Sequence, residues 1–161
     1  MSREQNNATI ERFYSAFDAL DGETMAACYA PGSTFKDPAF GELSGERAGA
    51  MWRMLTGRAE DLKVELPEHE ADATEGSAHW IATYTFNTGR HVVNDIHAEF
   101  SFADDGRFAR HVDHFSYWNW SRQALGPLGL VLGWTPLLPM MTRRKALEQL
   151  EAFEKSERTA G

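Results

Sequence analysis

Near residue 60 the spacing of apolar residues changes, and that change limits what the chain can fold into. Before it, Ile10, Phe13, Tyr14, Phe17 and Leu20 recur at offsets of three and four, the stripe of an amphipathic helix. After it, Leu62, Val64 and Leu66 alternate with Lys63 and Glu65, and Trp80, Ala82, Tyr84 and Phe86 alternate in a second run. A period of roughly 3.6 buries one side of a helix, whereas a period of two buries one face of a strand. Helices first and strands later predict segregated layers, an α+β domain, rather than repeated βα units.

The punctuation between these runs is consistent. Asp21-Gly22 breaks the first helix and caps a second, which runs through Met25 and Cys28 to a stop at Pro31-Gly32. A short strand at 34–36 then meets Asp37-Pro38, where the proline forces an extended or turning backbone. Ser44 is placed to cap a third helix with Ala48, Met51, Trp52 and Leu55 on one face. Residues 91–102 and 108–118 continue the strand pattern, with turns at Asn87-Thr88-Gly89-Arg90 and Asp104-Asp105-Gly106. The expected unit, residues 1–120, is three helices on one face of a curved, mostly antiparallel sheet.

Residues 121–161 differ in character. From Gln123 to Thr142 there is no formal charge for 20 residues, a length that could span a bilayer. Gly126, Pro127, Gly129, Gly133, Pro136 and Pro139 would break such a helix repeatedly and free backbone groups that are costly in lipid. The reading is an apolar loop, then a helix from about Pro139 with Leu147, Leu150 and Phe153 as its apolar edge. Each large apolar side chain left in water costs on the order of 1.5 kcal/mol or more, so 128–141 should fold back as a lid or across a dimer. Trp134, with the largest apolar area, is the expected anchor. A peripheral membrane patch is the rival role for this segment.

Charge and cysteine content remove several functions. A net charge of −8, from 16 basic and 24 acidic residues, repels phosphate backbones and argues against nucleic-acid binding. One cysteine, Cys28, allows no internal disulfide and no four-cysteine zinc site. The first seven residues carry no apolar stretch of a secretory signal, so a cytoplasmic location is expected.

The order helix, helix, short strand, Asp-Pro, helix and long meander resembles the NTF2-like superfamily, the cone of ketosteroid isomerases, SnoaL-like polyketide cyclases and limonene epoxide hydrolases. The resemblance rests on Ile10-Glu11-Arg12-Phe13-Tyr14, Thr34-Phe35-Lys36-Asp37-Pro38, the hairpin Gly89-Arg90 before Val92-Val93, and Asp105-Gly106-Arg107-Phe108 through Asp113-His114-Phe115. The run from Asp113 to Gly126 resembles an uncharacterised bacterial branch of that superfamily. A cone of this kind implies a hydrophobic pocket for a small apolar molecule. The fold also hosts purely binding modules, so membership alone assigns no activity.

Asp37 falls where the isomerases keep their general base, and a carboxylate at the mouth of an apolar cone has its pKa raised by desolvation. The oxyanion-stabilising tyrosine of that family corresponds here to Phe13, and its protonated aspartate to His97, or to Ala98 after a one-residue slip. Loss of that hydrogen-bond pair argues against a steroid isomerase. Alternation along the last strand puts His111, Asp113, Phe115 and Tyr117 on one face, which the resemblance turns inward. Cyclases and epoxide hydrolases of the superfamily place a working aspartate on this strand, which Asp113 matches, with His97 as the cyclase-like helper.

Asp37, Asp113, His97 and His111 are therefore the expected catalytic set, with Tyr14, Trp52, Trp80, Tyr84 and Phe115 lining the pocket. An Asp–His pair can move protons near neutral pH, so cofactor-free acid–base chemistry is expected: isomerisation, cyclisation or epoxide hydration. The alternative is a polar pair buried for structure in a ligand-binding or dimerisation module. A metal on His97, His111 and Asp113 lacks a supporting motif, and none is expected there. His69 and His79 should be solvated. A homodimer through the outer sheet face is expected, because exposed strand faces bearing Trp and Phe make large apolar patches.

Overall fold

The structure, a computed structural model, describes residues 1–161. Helix α1 (Arg3–Asp18) starts at Ser2, whose hydroxyl accepts from the Gln5 amide while the Gln5 side chain accepts from the Ser2 amide. Two otherwise orphaned donors are thus satisfied before the first turn closes. Helix α2 (Gly22–Ala27) is capped by the Asp21 carboxylate at the Thr24 amide. There follow β1 (Tyr29–Asp37), β2 (Gly41–Ser44) and α3 (Gly45–Arg58), capped by Ser44 as its position predicts. The meander is β3 (Lys63–Ala71), β4 (Glu75–Thr85), β5 (His91–Phe102) and β6 (Phe108–His114).

The six strands form one sheet in the order β2-β1-β6-β5-β4-β3, antiparallel throughout except for the parallel pair β1 and β6. This is the expected α+β architecture of the NTF2-like fold. Along β5 the alternation is complete: Val92, Asn94, Ile96, Ala98 and Phe100 are buried while their neighbours face water. Phe13, fully buried on α1, meets the rings of Tyr29, Trp52, Phe108 and His111 edge-on and joins α1 and α3 to the sheet's inner face. Its loss to alanine would cost about 3–5 kcal/mol.

The first strand is longer than predicted. Pro31 and Gly32 lie inside β1 instead of ending a helix; Gly32 has φ +73° and the β1–β6 register shifts between Tyr29 and Thr34. At such an irregularity a proline, which has no N–H to donate, is tolerated. The extra strand β2 pairs back on β1 through a turn in which the Asp37 carboxylate accepts from the Phe40 amide at 2.6 Å. The last strand is shorter than predicted. It stops at His114, and Ser116 caps helix α4 (Tyr117–Ala124), so Tyr117 belongs to a helix and not to the strand face.

The tail is more helical than a Gly- and Pro-rich loop suggests: α4 is followed by α5 (Pro127–Leu132) and α6 (Leu137–Ala160). Helix α5 crosses α4 at Gly129, where a Cβ would stand 1.9 Å from the Ser121 carbonyl oxygen; only glycine allows that approach. The Gln123 side chain lies along β5 beyond the end of β6, accepting from the Val93 amide at 2.9 Å and donating to its carbonyl at 3.1 Å. Helix α6 packs on α3 through the fully buried Leu150 and the ion pairs Arg47–Glu154 and Arg53–Glu157.

Trp134 is not the anchor: it is 75% exposed, and Leu138 is buried in its place. The outward positions of β4 and β5 carry no Trp or Phe, so the apolar surface expected on the sheet is absent there; it lies instead on α5 and the start of α6. No helix is long and apolar enough to cross a membrane.

Candidate active site

β6 is a central strand, so its inward residues are covered by β1 on one side and β5 on the other. Register places His111 beside Phe35 and Phe100, and Asp113 beside Ala98. His111 is fully buried and Asp113 4% exposed. The His111 Nε2 atom lies 2.9 Å from Asp113 Oδ1, and Nδ1 lies 2.7 Å from the Tyr29 hydroxyl. Trp52 donates its indole N–H to that hydroxyl at 2.9 Å, and Trp80 donates to Asp113 Oδ1 at 3.3 Å.

Donor counting orients the whole chain of bonds. Tyr29 accepts from Trp52, so its own proton needs an acceptor, and His111 Nδ1 is the one in reach. The remaining ring proton then sits on Nε2 and is donated to Asp113. This tautomer, assigned from its partners, satisfies every donor in the series Trp52–Tyr29–His111–Asp113. A buried polar series with all members paired holds each ring in one orientation.

Two further groups join it. Tyr14 is buried against Trp80, with ring centroids 5.3 Å apart, and its hydroxyl has no hydrogen-bond partner. Burial holds the Tyr14 phenol well above the ordinary tyrosine range, and the charge on Asp113 pushes it the same way. Asp37 keeps some contact with solvent as a residue, but the packing around its carboxyl raises its pKa to about 7. Burial is the main cause; the Phe40 amide opposes it and the Asp113 charge adds to it. Tyr29 is raised well above its ordinary range, again by burial first.

The structure brings Asp37, His111 and Asp113 to the inner face together with Tyr14, Trp52 and Trp80. His97 does not join them. On β5 the inward positions beside it are Ile96 and Ala98, and His97 points out from the opposite face, opposite His114 of β6. A metal held by His97, His111 and Asp113 is ruled out by that geometry, and His111 already uses both ring nitrogens. Tyr84 and Phe115 are part-buried beside α4, where the Tyr84 hydroxyl accepts from the Trp120 indole at 2.8 Å. Tyr29, which bridges Trp52 and His111, was missed because its position reads as the end of a helix. No motif marks it; only the parallel pairing of β1 with β6 brings it to His111.

Hollows of about 540 and 320 Å³ open elsewhere on the surface, one beside Arg3, Glu70 and Arg110, the other beside Asn94, Asp95 and Arg122. Neither is lined by a member of the buried series.

A helix-covered sheet of this order, with a His–Asp pair on its inner face, defines a small NTF2-like protein. Residues 10–111 match the SnoaL-like domain, and the chain belongs to that family. Among solved structures it is similar to an LEH-like epoxide hydrolase of M. tuberculosis, at 20% identity over 81% of this chain and 98% of that one, with a TM-score of 0.65. A protein of ketosteroid isomerase-like fold from Catenulispora acidiphila, in complex with trimethylamine, shares 14% identity over 80% and 97% of the two chains, with a TM-score of 0.64. A proposed polyketide cyclase from Xanthomonas campestris shares 19% over 76% and 98%, with a TM-score of 0.63. At these identities the likeness concerns the fold. No curated protein matches the chain in sequence.

Proposed function

We propose that the protein catalyses cofactor-free acid–base chemistry on a small, apolar, oxygenated molecule, with Asp113 and Asp37 as the proton-transferring groups. The observation that carries this reading is a pair of inner-face carboxylates in unlike environments. Asp113 accepts two N–H bonds, from His111 and Trp80, which hold its carboxyl group in one orientation. Asp37, raised to about 7, holds a proton for much of the time at neutral pH and can give it up.

In an enolisation or aldol-type closure, Asp113 would remove the proton beside a carbonyl while Asp37 protonates the oxygen that gains charge. In epoxide hydration the same pair would deprotonate a water and protonate the opening ring oxygen. The unpartnered Tyr14 hydroxyl is a donor for the substrate oxygen in either case. His111, held by Tyr29, acts as a positioning residue for Asp113. The epoxide hydrolase and polyketide cyclase among the similar folds support the choice between these two reaction classes.

A second reading is favoured by the burial of His111 and Asp113: the series is a structural element of a binding module whose cone is filled by its own rings. Proton exchange separates the two. Enolisable ketones and aliphatic epoxides incubated with the protein in D2O should show exchange or diol formation by NMR. Asp37→Asn and Asp113→Asn should each lower the rate about 100-fold or more. No exchange and no hydration with folded native protein, or equal rates in the native and Asp37→Asn proteins, would leave the binding reading.

A further inference from the structure

The outward face of the sheet carries a second histidine cluster that plays no part in the chemistry above. Register sets Glu68 of β3, His79 of β4, His97 of β5 and His114 of β6 side by side in one row across four strands. Three of the chain's six histidines thus share a single line on a face otherwise exposed to water. Asp95 lies two residues before His97 on the same face, and its Oδ1 is 2.7 Å from His79 Nε2. The His79 and His97 rings stack with centroids 4.7 Å apart and planes 14° from parallel.

We propose that His79, Asp95 and His97 form a surface site for one divalent transition-metal ion of the zinc, cobalt or nickel type. One ligand atom from each of the three lies within 4.8 Å of the others. A tetrahedral ion about 2.1 Å from each donor would place the donors about 3.4 Å apart, so the group needs to close by little more than 1 Å. Rotation of the half-buried His79 and exposed His97 imidazoles about their side-chain bonds supplies that movement without shifting the sheet. Two imidazole nitrogens and one carboxylate oxygen are a donor set of intermediate softness, suited to these ions rather than to magnesium or calcium.

Charge points the same way. Asp95 has no lysine or arginine partner; it is paired only with His79, as Glu99 is paired only with His114. On a chain of net charge −8, a row of imidazoles flanked by Asp95, Glu99 and Glu68 leaves carboxylate charge that a divalent cation would neutralise. His114 stands opposite His97 but is engaged with Glu99 at 3.0 Å, outside the group of three. Three protein ligands leave at least one coordination position open. A bound ion would tie β4 to β5 from the side of the sheet opposite His111 and Asp113.

The test is titration of chelator-stripped, tag-free protein at pH 7.5 with zinc chloride by calorimetry, and with cobalt followed by its visible absorption. One ion per chain with micromolar affinity is expected. His79→Ala and His97→Ala should each weaken binding tenfold or more, Asp95→Asn several-fold, and His114→Ala less than twofold. All four side chains lie on the exposed face, and circular dichroism should show the fold unchanged. No saturable binding below millimolar metal would overturn the proposal. So would undiminished binding in the double variant His79→Ala/His97→Ala, or a larger loss from His114→Ala than from His79→Ala.

Discussion

The two faces of this sheet hold the same pair of residue types under opposite conditions. On the inner face His111 and Asp113 are 2.9 Å apart, with both side chains almost wholly withdrawn from solvent. On the outer face His79 and Asp95 are 2.7 Å apart, with side chains 26% and 62% exposed. The shorter contact is the weaker one in energy, because water and salt screen it. The inner pair, in a poorly screening interior, depends on every partner around it being present. Distance alone therefore does not rank the two; the surroundings do.

The largest test of that contrast removes one carboxylate from each face. Asp113→Ala would leave the His111 Nε2–H and the Trp80 indole without an acceptor, and is expected to cost about 3–5 kcal/mol in urea unfolding. Equal losses from Asp113→Ala and Asp95→Ala would break the distinction. Next in size is Tyr29→Phe, which keeps the ring but strips Trp52 of its acceptor and His111 Nδ1 of its donor. A loss of about 1–3 kcal/mol is expected, with a lower rate in the exchange assay if His111 positions Asp113.

Asp37 gives an effect of opposite sign, confined to higher pH. Its carboxyl titrates near 7 in the folded protein against 3.8 in an ordinary setting. Between those values the folded state holds more protons than the unfolded one, so this group's contribution to stability is full below about pH 4 and falls as pH rises through 7. Asp37→Asn cannot ionise and still offers an acceptor to the Phe40 amide. It should therefore be more stable than the native protein at pH 8, by up to about 4 kcal/mol for a shift from 3.8 to about 7, with the gain gone by about pH 4. A thermal melt series over that range measures it. Smallest of all, Asp95→Ala without metal should change stability by less than about 0.5 kcal/mol.

Much of this arrangement was legible in the residues themselves. Alternation along 108–118 sets His111 and Asp113 on one face, because a strand offers only two; the family resemblance is what marks that face as the inner one. The same rule applied to β5 would have turned His97 outward, since Ile96, Ala98 and Phe100 define the apolar parity. Placing it by family resemblance overrode that count and misplaced it. Tyr29 was hidden by Pro31-Gly32, which read as a helix stop and not as an irregularity within a strand. The two short helices of the tail were hidden by their glycines and prolines. Pro127 opens α5, where its missing N–H is harmless, and Gly129 is needed for the approach to α4.

The Gln123 side chain has a consequence for how the protein behaves in a crowd of its own copies. β6 is too short to accompany β5 over its whole length, which leaves Val93 with a bare amide and carbonyl facing sideways. Such groups are templates onto which another chain can add a strand, the first step of many aggregates. Gln123 occupies both, and Arg90 donates to the Gln123 backbone carbonyl at 2.7 Å, so a single amide side chain stands at Val93 where a strand would otherwise pair. Helix α4 thus guards, through one side chain, part of the β5 backbone that the short β6 leaves without a strand partner.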